Sequence, residues 1–245
     1  MELSERVKKA ECPFWGETCT KETRLNGCRL GVCSVVVGKE YVVTCPKRYG
    51  NDILREISYN NFKPNTSVLV FKEVEIVKVG NSGLKSDYLL ANKNELSNFV
   101  TVEIVTVDTT NTGELVQAFR DAIQKGYYAE KYNFGINWAN VVKRTLPQLV
   151  KKGAQLARWN KKMYVVLQKS LLNHLREWSP FSSSEGNIIF LVYDFVEEGK
   201  LSLVETLSTK AEELAKGLAK VETSQDLYRF IRKLKASQPY NCFML

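Results

Sequence analysis

The chain has 245 residues, 44% of them hydrophobic, with a formal net charge of +8 and an isoelectric point near 9.1. It is long enough to bury a core in one large domain or two small ones, which predicts a globular protein rather than a disordered one. The longest apolar runs fall short of the roughly 20 residues of a membrane span, and the charged amino terminus lacks the apolar core of a secretory signal. We therefore expect a cytoplasmic protein whose cysteines stay reduced.

Five of the six cysteines fall in the first 50 residues, in a segment that is rich in turns and too small to build much of a core alone. We predict a cysteine-rich metal-binding module over residues 1–60 and a larger second part over residues 61–245. Four thiolates held by turns suit tetrahedral zinc or iron, although the spacing contains no tight C-x-x-C pair. The alternatives are buried structural cysteines, or disulfides in a secreted protein. One of the five would be left over: they are Cys12, Cys19, Cys28, Cys33 and Cys45.

The rest of the chain predicts several strands and then alternating helices and strands. The first patterns indicate strands in "SVLVFKEVEIVK", "DYLLANK" and "FVTVEIVTV", followed by a helix in "TGELVQAFRDAIQKG". A helical stretch interrupted by Pro147 and ending near Asn160 precedes the strand "KMYVVLQ", the helix "SLLNHLREW" and the strand "NIIFLVYDFV", and two further helices close the chain. This order predicts an α/β fold in which a mixed sheet is flanked by helices.

An acid stands out in the third of these strands. Because side chains alternate along a strand, Thr101, Glu103, Val105 and Val107 share one face, and the intervening residues share the other. Burying an unpaired carboxylate is costly, so such a residue is paired, placed at a cleft or bound to a metal. Glu103 is therefore a candidate functional residue.

The positive charge is concentrated between residues 141 and 180, where nine basic residues accompany a single acid, so this segment alone carries a net +8. A solvated helix face explains any one of these side chains, but the cluster as a whole favours a surface that follows a phosphate backbone. The members that we expect to contact DNA are Lys143, Arg144, Lys151, Lys152 and Arg158.

Several motifs resemble those of a known family. The runs "CPFWGETCTK", "GVCSV" and "VTCPKRYGNDI", followed by "KSDYLLA", "VEIVTVDTTNTG", "NWANVVKR", "LPQLVKKGAQLARW" and "YVVLQ", are similar to NotI-type restriction endonucleases over roughly residues 10 to 195. The resemblance implies a PD-(D/E)XK nuclease core with a four-cysteine iron site like that of rubredoxin. The implied ligands are Cys12, Cys19, Cys33 and Cys45, with Cys28 in place of Cys33 as the alternative. Composition does not distinguish iron from zinc.

The resemblance also assigns roles to acidic residues. Phosphodiester hydrolysis commonly uses divalent cations held by oxygen ligands, and acids on adjacent strands, about 4.8 Å apart, can share one ion. Asp87 and Glu103 lie in successive predicted strands, and the resemblance implies that they coordinate Mg²⁺. A third acid would come from Glu73 or Glu75, of which we choose Glu73. For each acid taken alone, the alternative is a salt bridge or a solvent-facing strand position.

The sequence departs from the family pattern two residues after Glu103. There a PD-(D/E)XK site has a lysine that orients the attacking water and stabilises charge, whereas this chain has Val105. The candidate replacements are Gln117, on the following helix, and Gln168, at the end of "YVVLQ". The alternatives are that the metal ions carry this step alone, or that the protein is inactive.

Together these features predict a type II restriction endonuclease that cuts a short, palindromic, GC-rich DNA site as a homodimer, with Mg²⁺ as cofactor. Family precedent also implies a cognate DNA methyltransferase as partner. One rival is a non-catalytic, sequence-specific DNA-binding protein on a nuclease fold, for which Val105 is the best argument. The other is a metalloprotein whose basic surface is incidental.

Overall fold

The computed structural model describes residues 11–19, 32–50, 52–79, 82–125, 132–197 and 199–219. Its strands are β1 (Ser34–Val37), β2 (Glu40–Val43), β3 (Val68–Val79), β4 (Ser82–Asn92), β5 (Glu95–Ile104), β6 (Met163–Gln168), β7 (Ile188–Glu197) and β8 (Lys200–Thr209). Its helices are α1 (Asp52–Asn61), α2 (Thr112–Lys125), α3 (Trp138–Asn140), α4 (Leu146–Arg158), α5 (Lys169–Trp178) and α6 (Ala211–Ala219). A π-helical segment, Val141–Thr145, joins α3 to α4. None of the helices in these ranges combines the length and apolar character needed to cross a bilayer.

Strands β3 to β8 form one mixed sheet in which sequential strands are neighbours. The strands β3, β4 and β5 pair antiparallel, β5, β6 and β7 pair parallel, and β8 returns antiparallel along β7. Parallel neighbours require long crossover connections. The helical segments between β5 and β6, and helix α5 between β6 and β7, provide these crossovers. The predicted mixed sheet flanked by helices is confirmed.

The sequence patterns did not predict strands β1 and β2, helix α1 or strand β8. The first two strands lie in the turn-rich first 50 residues, α1 lies between that segment and the first predicted strand, and β8 forms a hairpin with β7. The chain reverses at Gly199, whose φ of 74° lies in the left-handed region that glycine adopts at low cost. Most of β8 is exposed or half-buried, so its sequence lacks the apolar run that identifies β6.

Both faces of the sheet are covered, and each face has its own apolar core. One core packs α4 and α5 against the sheet and includes Leu149, Leu156 and Leu172. The other packs α1 against β4, β5 and β6 and includes Ile57 and Leu90. The molecule therefore has three layers, with the sheet in the middle.

Strand β5 contributes to both cores by strict alternation. Val100, Val102 and Ile104 belong to the α1 core, whereas Val105 and Val107 pack in the α4 core. The alternation predicted from the sequence is confirmed. As a result, Glu103 points toward α4, beneath a helix rather than into solvent.

The β1–β2 hairpin docks on the carboxyl end of the sheet. Gln168, which is 4% exposed, donates from Nε2 to the carbonyl of Tyr41 (2.6 Å) and accepts at Oε1 from the N–H of Val43 (2.9 Å). This side-chain amide bonds β2 much as a neighbouring peptide group would. The hairpin also contributes a valine from each strand to the α4 core. The hairpin and the sheet therefore share one core. The division of the chain into residues 1–60 and 61–245 stays a prediction.

Candidate active site

Strand β5 carries Glu103 into the core beneath α4. Only 6% of Glu103 is exposed, and both of its carboxylate oxygens accept hydrogen bonds. Oε1 accepts from Ser86 Oγ of β4 (2.6 Å), and Oε2 accepts from Lys152 Nζ of α4 (2.7 Å). Burial raises the pKa of Glu103, and the charge of Asp87 raises it further, whereas Lys152 and Ser86 lower it. Partners from two elements thus hold this buried carboxylate in one orientation.

Asp87 lies on β4 beside Glu103. Continuing the register of the β4–β5 ladder places the two acids opposite each other. Asp87 Oδ2 accepts a hydrogen bond from the backbone N–H of Ile104 (2.7 Å), which ties the acid to the end of β5. Burial raises the pKa of Asp87, while the Ile104 N–H and the charge of Lys152 lower it. Two acids from adjacent strands are therefore held close together, Glu103 buried and Asp87 half-buried, with the Lys152 ammonium group bound to Glu103.

A third acid approaches this pair from β3. Continuing the β3–β4 register places Glu73 opposite Asp87, and the negative charge of Glu73 raises the pKa of Asp87 after the larger effect of burial. Glu73 has a φ of 53°, which is rare for a non-glycine residue in a strand, and such strained backbone clusters at functional sites. The carboxylate of Glu75 instead lies against Gly83. The structure therefore distinguishes the two glutamates and brings Glu73 to the pair.

A cleft of about 220 Å³ opens beside the two acids at the carboxyl end of β5. Residues 104–106 and Asp108 line it together with the acids. The opposite wall comes from the helical segment that runs from the end of α3 into α4. Its lining residues are Asn140, Val141, Arg144, Thr145, Gln148 and Leu149. Asn140 Nδ2 donates to Asp108 Oδ2 (2.7 Å) and so fastens the start of this segment to the end of β5. A π-helical turn within the wall is typical of functional sites.

Three side chains of the helical segment that forms this wall lie in a row. Arg144, Gln148 and Lys152 follow one another at four-residue intervals, which places them along one helical face. Arg144 is exposed, Gln148 is half-buried, and Lys152 is buried at 2% exposure. The row therefore runs from solvent, through the cleft, to the buried Glu103.

The charge at the floor of the cleft is negative. Asp87, Glu103 and Lys152 together contribute two carboxylates and one ammonium, a net charge of −1. In the described ranges, no group of three or more Cys, His, Asp or Glu side chains is already set to enclose a metal ion. Mg²⁺ needs no such cage, because it binds through one or two carboxylates and completes its shell with waters and substrate phosphates. The donor set fits a hard divalent cation.

The described cysteines also influence one another. The pKa of the Cys33 thiol is raised, first by its hydrogen bond to Cys45, then by burial, and further by the nearby Cys12 and Cys19. A tight backbone turn follows both Cys12 and Cys45. These four are thiols rather than disulfides in the described residues. The four thiols therefore lie close enough to affect one another, but in the described ranges no three of them are set to enclose a metal ion.

A family model described as "Restriction endonuclease NotI" matches residues 78–205, just over half of the chain. The chain belongs to the NotI restriction endonuclease family. The matched region runs from the end of β3 into β8 and includes Asp87, Glu103 and the helical wall of the cleft, but it excludes the cysteines of the amino-terminal segment. No curated protein and no solved structure matches the chain.

Within the NotI family fold, the interpretation of Lys152 as a DNA contact is wrong. Its side chain is buried and paired with Glu103, so it cannot reach a phosphate backbone. The sequence did contain a signal for this position. Lys152 lies three residues after Leu149 and four before Leu156, both fully within the α4 core, so it falls on the apolar stripe of that helix.

The two candidate replacements for the lysine expected at position 105 do not reach the cleft. Gln117 is exposed on α2 and donates to Asp121 Oδ1 (3.1 Å), whereas Gln168 binds the β1–β2 hairpin. Neither residue lines the cleft. Gln148, which no sequence pattern identified, does line it.

The remaining basic candidates are on the surface of this NotI-family protein. Lys143, Arg144, Lys151 and Arg158 are all exposed, and Arg144 also lines the cleft. Their contact with DNA stays a prediction. Cys28, the alternative thiol ligand, lies outside the described residues.

Proposed function

We propose that this chain is a type II restriction endonuclease that makes Mg²⁺-dependent double-strand cuts at a short, palindromic DNA site. The observation that carries the proposal is a pair of acids, the buried Glu103 and the half-buried Asp87, at the floor of a cleft whose outer wall carries Arg144. Membership of a restriction endonuclease family gives the reaction class. The open side of the cleft leaves room for a phosphodiester.

Asp87 and Glu103 would hold Mg²⁺, and Glu73 would complete the acidic set from β3. When bound, the ion supplies Lewis acidity at the reacting phosphate. The protein's own contribution is preorganisation: Ile104 fixes one acid through its N–H, and Ser86 and Lys152 fix the other. Because these partners are buried, the acids do not need to reorganise when the substrate arrives.

The exposed basic side chains would contact the phosphates of the DNA backbone where it crosses the mouth of the cleft. Lys143, Arg144, Lys151 and Arg158 lie on the helical segment that forms its wall. Each cation that neutralises a phosphate releases counterions and so strengthens binding at low salt. A GC-rich site, which family precedent suggests, would be read by arginine contacts to guanine in the major groove.

A twofold palindrome is matched by a homodimer, in which each copy supplies one acidic cleft to one strand. Restriction of this kind also requires protection of the host's own sites, which implies a cognate DNA methyltransferase. Cleavage of unmethylated DNA with sparing of site-methylated DNA would support that partner. Equal cleavage of both would count against it.

The test is digestion of plasmid and genomic DNA by the full chain with Mg²⁺, followed by sequencing of the product ends. Discrete fragments sharing one end sequence are expected, and Asp87→Ala and Glu103→Ala should abolish them. Glu73→Ala should reduce them, whereas Glu75→Ala is the matched control, since that carboxylate lies against Gly83 and away from the pair.

A non-catalytic DNA-binding protein is the second candidate, favoured by the apolar Val105 in the cleft. Specific binding of DNA without cleavage in Mg²⁺ or Mn²⁺ would establish it in place of the nuclease. Absence of DNA binding even at low salt would eliminate both readings and leave a metalloprotein with an incidental basic surface.

We further propose that Cys12, Cys19, Cys33 and Cys45 bind one structural iron or zinc ion. The proximity of these thiols supports it, since thiolates are the ligands that both metals favour in tetrahedral sites. Elemental analysis and visible absorption of the purified chain should reveal one thiolate-bound ion. Cys33→Ser should lose it and Cys28→Ser should keep it. A metal-free, fully folded protein would rule the site out.

A further inference from the structure

The chain lacks a polar group at the position where the PD-(D/E)XK pattern places a lysine. Val105 lies two residues beyond Glu103, directly after the last residue of β5, and its side chain lines the cleft and packs partly into the α4 core. Its isopropyl group can neither donate a hydrogen bond nor offset negative charge. A side chain from another element must therefore donate the hydrogen bond and offset the negative charge, or neither is done.

Helix α4 covers that same face of β5 and delivers a cation to it. Lys152 Nζ lies 2.7 Å from Glu103 Oε2, and the two side chains are 2% and 9% exposed. A lysine at position 105 would approach Glu103 from the same side of the sheet, because residues two apart on a strand share a face. Lys152 thus places an ammonium group beside Glu103 on this face of the sheet, although it enters from the helix.

The close approach of the helix makes this delivery possible. Lys152 is followed by Gly153, where an added Cβ would lie 2.5 Å from Ile188 Cδ1 of β7. Without that Cβ, α4 settles directly on the sheet. The lysine stem then crosses only the short gap between helix and strand.

Folding alone does not explain a charged pair at this position. Replacing a buried ion pair with well-packed apolar residues is often neutral or stabilising, because desolvation offsets the attraction. The surrounding core of Leu149, Leu156 and Val165 could accept such residues. The pair is found at the one buried glutamate that also lines the cleft, which links it to the site rather than to the core.

We propose that Lys152 supplies, from helix α4, the ammonium group that strand β5 lacks at Val105, and that it acts as a positioning residue for the Glu103 carboxylate. This inference rests on the proposed nuclease function. Lys152 holds one carboxylate oxygen and Ser86 the other, and the carboxylate they hold belongs to a residue that lines the cleft. Lys152 itself does not line the cleft, and it therefore acts through Glu103 rather than on the DNA.

The test compares single-turnover cleavage at saturating Mg²⁺ with binding of uncut DNA in Ca²⁺. Lys152→Met should slow cleavage by about 100-fold, the scale of losing one preorganised electrostatic group, while DNA binding stays close to wild type. The decisive variant is Lys152→Met combined with Val105→Lys, which returns the ammonium to the strand and should recover at least about 10-fold of the loss. Lys93→Met, which removes an exposed lysine in the turn between β4 and β5, is the charge-matched control.

Circular dichroism of each variant separates lost folding from lost positioning. If Lys152→Met does not fold, Lys152→Gln carries the same comparison, because its amide can still donate to Glu103. Wild-type rates in Lys152→Met, or a loss that Val105→Lys fails to recover in a folded protein, would overturn the inference while the nuclease function stands. Loss of activity in Gln148→Ala but not in Lys152→Met would transfer the role to Gln148. A wild-type chain that cuts no DNA would overturn the nuclease function and the inference together.

Discussion

Replacing Lys152 with methionine keeps the stem that packs beneath α4 but removes the ammonium, which leaves Glu103 buried with Ser86 as its remaining side-chain donor. Breaking a buried ion pair from one side costs about 3–5 kcal/mol of unfolding free energy. The nearby charge of Asp87 places the expected loss in the upper half of that range. Glu103→Gln should cost less, because the neutral amide can still accept from the lysine.

The double variant Glu103→Gln/Lys152→Met removes both charges at once. We expect the double variant to lose about 3 kcal/mol less unfolding free energy than the two single losses added together, since no uncompensated charge remains in the core. Urea denaturation followed by circular dichroism, at neutral pH without divalent cations, measures all four corners of the cycle. The same cycle on the exposed Asp52–Arg55 pair is the control, for which a coupling of less than about 1 kcal/mol is expected.

Single losses that simply add in the double variant, within about 0.5 kcal/mol, would refute this reasoning. Additivity would mean that the two groups do not interact in solution. Glu103 would then have to be held by Ser86 and solvent alone, and the helix could not be positioning it.

Three further predictions concern stability and DNA binding. Burial raises the pKa of Asp87, so ionisation of Asp87 destabilises the folded state as pH rises above the pKa of the unfolded chain. Asp87→Asn should therefore gain stability relative to wild type from pH 4 to pH 8. A difference in unfolding free energy that stays constant over this range would contradict the prediction. Gly153→Ala should lower the unfolding free energy by about 1–3 kcal/mol, because the added Cβ would contact Ile188. The double variant Gly153→Ala/Ile188→Val should recover part of this loss. An unchanged thermal midpoint would show that α4 can shift. Arg144→Ala should reduce the salt slope of DNA binding by about 1 in fluorescence anisotropy, and an unchanged slope would remove Arg144 from the phosphate contacts.

The sequence predicted what depends on local periodicity and missed what depends on contacts between distant elements. Alternation alone placed Glu103 on the face opposite Val102, and the structure has it there. The apolar stripe of α4 contained the information that Lys152 is buried, but the surrounding positive charge suggested a surface. Nothing in the sequence near residue 103 identifies a partner 49 positions away, because only the crossover between β5 and β6 brings the two together.

The third acid shows the same limit from another side. Glu73 and Glu75 are equivalent by alternation, and the sequence offers no physical reason to separate them. The pairing of β3 with β4 separates them, because it places Glu73 opposite Asp87 and Glu75 opposite Lys85, and Glu73 itself has a left-handed backbone. Such a conformation is costly for a glutamate, so propensity argues against it and only the assembled sheet can impose it.

The amide of Gln168 has a consequence for how the protein folds and how it can be divided. Its donor and acceptor are both satisfied by Tyr41 and Val43, which belong to the cysteine-rich end of the chain. A truncated chain that begins at residue 61 would bury that amide with neither partner and would strip the α1 layer from the sheet. If the four cysteines hold the proposed metal ion, its binding and the assembly of the sheet should occur in one cooperative transition. A chelator should then lower the unfolding temperature of the whole molecule rather than release an independent amino-terminal unit.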